Sequence, residues 1–179
     1  MSLRPSHSVS SVAVSQGTAR PSTRTIPEEV AIALSYNGTT QAVMMATPAD
    51  LNDFAVGFSL SEQIIDHPGQ IERLEIEPLE AGIDCQMWLS DETAERLGAR
   101  RRAMAGPVGC GLCGIDSLEQ ALRPLPKVGA DNVCTASVRL LHAMHMLRNA
   151  QSLHDETRGV HGAGFLHSDD QLTLSLIHI

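Results

Sequence analysis

The chain has 179 residues, 42% of them hydrophobic and only 3% aromatic, enough for one ordinary domain or two small ones built on aliphatic and methionine side chains. Its formal charge is −8, with Lys127 the single lysine among 13 basic residues, which argues against a general nucleic-acid surface, since that needs a basic excess. No stretch approaches the ~18 apolar residues of a membrane span, and the N-terminus lacks an apolar export segment, so a cytoplasmic protein with no membrane partner is expected.

Residues 1–24 are rich in Ser, Thr and Arg without periodicity, the composition of a disordered leader. From Val30, two β-prone runs flank Asn37-Gly38, the preferred dipeptide of a type I′ hairpin. The simplest register pairs Tyr36 with Thr39, Leu34 with Gln41, Ile32 with Val43 and Val30 with Met45. A helix follows, with Thr47 as N-cap, Pro48 at the first helical position and Asp50 in the first turn. Leu51, Phe54, Ala55, Phe58 and Ile65 recur on its buried stripe. Glu62 lies off that stripe and reads as a surface acid ahead of any functional role.

"IERLEIEPLE" and "IDCQMWLS" read as strands, with Cys85 in the second a small buried hydrophobe. "DETAERLGARRRAMA" reads as a short amphipathic helix with a basic end. After "GPVGCGLCG" come a brief helix from Asp116 or Ser117 to Leu122, a proline-broken link, and a longer helix from Ala136 to Ser152. That helix offers Val138, Leu141, Met144, His145 and Leu147 for burial. A strand from Gly164 to Leu166, a turn from Ser168 to Asp170 and a last strand complete the pattern. The expected organisation is a leader at 1–24, a small hairpin-plus-helix α+β domain at 25–98, and a second α/β domain at 99–179. Gly98 and the arginines after it mark the boundary.

Cys85, Cys110, Cys113 and Cys134 are too few and too dispersed for a disulfide scaffold. Cys110 and Cys113 have the spacing of a zinc knuckle, but that is half a site and no second knuckle is present. A zinc deaminase needs a His-x-Glu element upstream, where the sequence has only His7 and His67. No metal site is therefore expected. A dithiol couple is favoured at a helix N-terminus, yet glycines flank this pair and the capping box Ser117-x-x-Gln120 starts the helix after it. An exposed thiol in a glycine-rich loop also suits a sulfur carrier, whose thiolate attacks a persulfide. Arg100, Arg101 and Arg102 would raise the local positive potential, or simply complement a helix C-terminus. The residues alone leave open a zinc-stabilised binding or chaperone module, a dithiol–disulfide oxidoreductase and a sulfur carrier.

"GCGLCG" preceded by "RRAMAG", with "GFSLSEQII" before it and "TRGVHGAGF" after it, resembles the formate dehydrogenase accessory protein family, FdhD/NarQ, from Pro27 to Leu174. The resemblance implies a small α+β domain joined to a cytidine-deaminase-like α/β domain. It implies a cytoplasmic, homodimeric sulfurtransferase with no tightly bound cofactor. Such a protein takes persulfide sulfur from a cysteine desulfurase and delivers it to the molybdenum cofactor, bis(molybdopterin guanine dinucleotide), for formate dehydrogenase. Cys110 would carry the persulfide and Cys113 would assist, with Arg101, Arg102 and His161 toward the cofactor. The sequence departs from the family pattern at Gln63, where a glycine usually follows Ser-Glu, and at Arg158, where the family usually writes Thr-Gly-Gly-Val-His. The family also continues past "HSDDQLTL" with a segment resembling "REDxGRHNA". Here the sequence reads "SLIHI" and stops at Ile179. A truncated second domain is therefore expected, with the main part of the guanine dinucleotide site missing beyond Ile179.

Overall fold

The computed structural model describes residues 4–103 and 135–177. Cys110, Cys113 and Cys134, with the short helix expected after the first two, lie outside the described residues. So does Ile179, the residue at which the second domain is expected to be cut short of its cofactor site; the last described element ends two residues before it, at Ile177.

The N-terminal stretch, expected to be disordered, forms a hairpin of β1 (Ser6–Ser15) and β2 (Thr18–Pro27), paired without interruption from Ser6↔Pro27 to Ser15↔Thr18. Gln16 (φ 48°) and Gly17 (φ 78°) supply the two positive φ angles of a type I′ turn. Small polar residues hid the strands, because a ribbon solvated on both faces needs no apolar alternation. Its base is fastened: His7 Nδ1 lies 2.6 Å from Glu28 Oε2, Glu28 N donates to Pro5 O (2.9 Å), and Ser6 Oγ donates to Glu156 Oε1 (3.0 Å).

The central sheet contains β3 (Val30–Tyr36), β4 (Thr39–Ala46), β5 (Ile71–Leu79) and β6 (Gly82–Leu89) in the order β4-β3-β6-β5, with β3 and β6 parallel and the other pairs antiparallel. The Asn37-Gly38 turn forms as expected, with φ of 47° and 77°. Asn37 also ties the turn to β6, its Oδ1 accepting from Leu89 N (2.8 Å) and its N donating to Met87 O (2.9 Å).

Tyr36 pairs with Thr39 as expected, but an irregularity at Leu34/Ser35 shifts the rest by one residue. Leu34 faces Ala42, Ile32 faces Met44 and Val30 faces Ala46, in place of Gln41, Val43 and Met45. A one-residue slip exchanges the two faces of a strand, so Val43 (63% exposed) and Met45 (50% exposed) point outward. The slip takes Gln41 out of the position opposite Leu34, yet among the described residues its Oε1 is still buried without a hydrogen-bond partner, so satisfying that amide does not account for the bulge.

Helix α1 (Leu51–Ser61) connects β4 to the second half of the sheet. It starts later than expected. Asp50 is the N-cap in a left-handed conformation (φ 49°), and Thr47 and Pro48 precede the helix in a turn closed by Ala49 N donating to Thr47 O (2.8 Å). Leu51, Phe54 and Ala55 of α1, with Ile64 and Ile65 beyond it, pack on Val30, Ile32 and Leu34 of β3 and Ile83, Cys85, Met87 and Leu89 of β6. At the C-terminus Gln63 N donates to Leu60 O (3.0 Å) and Ile64 N to Ser59 O (2.8 Å), a Schellman closure with Gln63 in the left-handed position (φ 55°). Gly82 marks the closest strand approach: a Cβ there would lie 2.3 Å from the Ala31 carbonyl oxygen.

Helix α2 (Asp91–Ala103) runs unbroken through Gly98 and Arg100–Arg102. Beyond the undescribed segment, α3 (Ser137–Ala150) and α4 (Ser152–Thr157) precede the hairpin of β7 (His161–Leu166) and β8 (Leu172–Ile177). β7 begins three residues before the expected Gly164. Helix α3 lays Leu147 across β7, the Leu147 Cδ1 lying 2.9 Å from where a Cβ on Gly164 would sit, and Arg139 bonds Asp170 and the His167 carbonyl. No α3 residue is fully buried, and Val138, Leu141 and Met144, expected inside, are exposed. A two-stranded hairpin covers only one face of a helix, here the half-buried Arg139, Ala143, Met146 and Leu147. The α+β class expected from the sequence holds, and no described helix is long and apolar enough to cross a membrane.

Candidate functional site

The motif "GFSLSEQII" builds the joint between α1 and the sheet. Ser59 is fully buried; its hydroxyl donates to Ala55 O (2.7 Å), so the Tyr36 hydroxyl donates to Ser59 Oγ (2.7 Å). Burial pushes Tyr36 up to about 12, opposed by the Ser59 hydrogen bond and assisted by the charges of Cys85 and Glu62. Cys85 is 0% exposed, and burial with the neighbouring Asp84 charge pushes its thiol up to about 12. A thiol so placed stays protonated near neutrality and is not a nucleophile. Cys85 is thus the buried hydrophobe its strand suggested.

Beside the end of α1, Leu60, Gln63, Ile64, Asp66, Arg96 and Leu97 line a cavity of about 680 Å³. Arg96 Nη1 lies 2.8 Å from Asp66 Oδ2, and this hydrogen bond and charge hold the Asp66 carboxyl below its ordinary range.

The motif "TRGVHGAGF" builds a second cavity, of about 350 Å³. Thr157, buried, donates through its hydroxyl to Leu153 O (2.7 Å), and the same oxygen accepts from Gly159 N (3.3 Å). Arg158 between them is left-handed (φ 56°). Gly159 cannot carry a side chain without displacement, since its Cβ would lie 2.9 Å from Pro27 Cγ at the base of the N-terminal hairpin. The chain then turns into β7, and His161 at its start lines the cavity with Arg148, Gln151, His154, Asp155 and Arg158. His154 is oriented by a 2.8 Å hydrogen bond between Nδ1 and Val160 O.

Of the residues singled out in the sequence, the structure places His161, exposed, on this cavity wall. Arg101 and Arg102 fall in the last turn of α2. Cys110 and Cys113 lie outside the described residues. Among the described residues no three His, Cys, Asp or Glu side chains converge as a metal site. Sequence reasoning missed Arg148, His154 and Arg158 as companions of His161. The only signal was basic residues spaced along what read as one helix and a loop. The break between α3 and α4 at Gln151 was not visible.

A family model described as "FdhD/NarQ family" matches residues 27–177. The chain belongs to the FdhD/NarQ family. Among its FdhD relatives, the sulfur carrier protein FdhD of Agrobacterium fabrum is 50% identical over 157 residues, covering 88% of this chain and 58% of the relative. That of Bordetella petrii is 44% identical over 158 residues, covering 88% of this chain and 56% of the relative. A solved structure from Desulfotalea psychrophila, described as a putative formate dehydrogenase accessory protein, matches with a TM-score of 0.65 over 97% of this chain and 61% of its own, at 16% identity, which shows a shared fold. The chain, ending at Ile179, spans little more than half the length of the curated FdhD relatives it matches.

Proposed function

We propose that the chain is a sulfur carrier that accepts persulfide sulfur from a cysteine desulfurase on Cys110 and passes it toward the molybdenum cofactor, bis(molybdopterin guanine dinucleotide), that serves formate dehydrogenase. The observation that supports this most is the 50% identity, over 157 residues, to a protein named sulfur carrier protein FdhD. One further support is that Cys85 is sealed in the sheet with its thiol pushed up to about 12, which makes it unfit as a carrier and is consistent with the role proposed for Cys110.

In the proposed reaction the Cys110 thiolate attacks the outer sulfur of the donor's persulfide. The donor S–S bond breaks, a new S–S bond forms on Cys110, and the donor departs as its thiolate. Attack by the Cys113 thiolate on the inner sulfur of that persulfide then releases hydrosulfide and leaves a Cys110–Cys113 disulfide, which an external dithiol reduces before the next cycle. A homodimer in the cytoplasm belongs to the same reading, as do Arg101, Arg102 and His161 near the acceptor.

Incubation with a cysteine desulfurase and cysteine, followed by mass spectrometry, tests it. The expected product is an adduct of about 32 Da, removed by reductant and absent in Cys110→Ala. An adduct on Cys134, or stoichiometric zinc that disappears in both Cys110→Ala and Cys113→Ala, would overturn the assignment.

A further inference from the structure

We propose that the face of the central sheet turned away from α1 and α2 is a docking surface for a protein partner, one that presents a helix whose apolar side chains are flanked by lysine or arginine. This goes beyond the sulfur-carrier reading and does not depend on it.

The first argument is apolar exposure. Alternation along each strand gives the sheet two faces, and Ile32, Leu34, Ile83, Cys85 and Met87 turn one of them to the core, where α1 and Leu97 of α2 cover it. The residues between them form the other face. In one row across it, Leu79 of β5 (45% exposed) and Met45 of β4 (50% exposed) stand on either side of Gly82 and Ala31, so the floor between them is low. In the next row Val43 of β4 (63% exposed) lies beside Ala33. Exposed apolar side chains grouped in this way and bordered by charge mark an interaction surface. With strands ~4.8 Å apart, β4 and β5 stand about 14 Å from each other, and a helix ~10 Å across fits between them.

The second argument is charge complementarity. On the β5–β6 side of the same face, Glu75 is paired with Arg73 (3.4 Å), whose guanidinium stacks 3.6 Å over Trp88. Glu77 and Asp84 stand directly opposite each other, and neither has a cationic partner among the described residues. Both accept from the single Gln86 Nε2, at 3.0 and 3.1 Å, and Asp84 Oδ1, turned from solvent, has no hydrogen-bond partner. Like charges facing across an antiparallel pair repel. An arriving lysine or arginine relieves that repulsion and supplies the missing donor, so the surface favours basic residues set beside apolar ones. The same acids, in a chain of charge −8, repel nucleic acid and anionic lipid, which leaves a protein as the partner.

Fluorescence anisotropy of a labelled synthetic helix of about 14 residues, with leucines along one face and lysines beside them, titrated with the full chain, tests the surface. Saturable binding is expected. Val43→Lys, at an exposed position outside the core, should weaken it at least about tenfold by removing apolar contact and adding repulsion. Asp84→Asn should also weaken it and flatten its dependence on salt. Glu95→Lys, on α2 and away from this face, changes the net charge more than Val43→Lys does and should leave the affinity within about twofold. Absence of binding, an equal loss in Glu95→Lys and Val43→Lys, or equal binding of the same helix with glutamates in place of lysines would overturn the proposal. So would self-association of the chain in sedimentation that Val43→Lys abolishes, because the face would then belong to a second copy. None of these results bears on the persulfide test.

Discussion

Raising the pH from 8 to 10 should unfold this protein more easily, and the structure says which side chains are responsible. Cys85 is fully buried in β6 and its thiol is pushed from 9.0 up to about 12; Tyr36, buried beside it, is pushed from 10.0 up to about 12. Both groups are neutral when protonated and charged when not, and both hold their protons longer in the folded state. The unfolded chain therefore ionises first. Stability is intact below pH 9 and declines between 9 and 12, until the folded groups ionise as well. At pH 10 an unfolded thiol is about nine-tenths ionised, which favours unfolding by ~1.4 kcal/mol, and an unfolded tyrosine at its midpoint adds ~0.4 kcal/mol. The sum, about 2 kcal/mol, is a large share of the 5–15 kcal/mol that typically holds a domain together. Urea midpoints at pH 8 and pH 10 measure it, with Cys85→Ala as the control. That variant is less stable at both pH values because it leaves a cavity, but its loss between pH 8 and 10 should shrink to about 0.5 kcal/mol. An equal pH 8 to 10 loss in the two proteins would refute the assignment to Cys85.

Two further outcomes follow from backbone geometry. Gln63→Gly should stabilise the chain by ~0.5–1 kcal/mol, because Gln63 sits at φ 55° in the Schellman closure of α1, where a Cβ is disfavoured; an unchanged or lower urea midpoint would contradict that reading. Gly82→Ala should cost more than ~2 kcal/mol, or prevent folding, because its Cβ would lie 2.3 Å from the Ala31 carbonyl oxygen across the parallel β3–β6 pair; near-native thermal unfolding of this variant would refute the close approach.

The strong periodic and turn signals translated directly into structure. Asn37-Gly38 made its hairpin, Leu51, Phe54 and Ala55 made one buried face, and the alternation of "IDCQMWLS" placed Cys85 inside. What failed was set by context. The β3–β4 register shifts at an irregularity between Leu34 and Ser35, which strand alternation does not announce. The N-terminal ribbon has no apolar face to announce it, and its Gln-Gly turn is a weaker signal than Asn-Gly. Helix α3 carries more apolar surface than β7–β8 can cover, which a helical wheel cannot reveal. The second cavity was legible only at His161, since the other basic residues come together through the break at Gln151 and the left-handed turn at Arg158.

Burial decides what a cysteine can do. A carrier thiol has to ionise and to meet both a donor and an acceptor, which demands exposure and a pKa near or below its ordinary value. Cys85 meets neither demand because it stands on the inward face of β6, between β3 and β5, where the fold needs a small apolar side chain. Its conversion to alanine should therefore lower stability and leave the persulfide adduct in place. Conversion of Cys110 should do the reverse, removing the adduct while the alkaline transition governed by Cys85 and Tyr36 stays where it was. The two variants thus separate the thiol that holds the sheet together from the one proposed to hold sulfur, and a loss of adduct in Cys85→Ala protein that remains folded would break that separation.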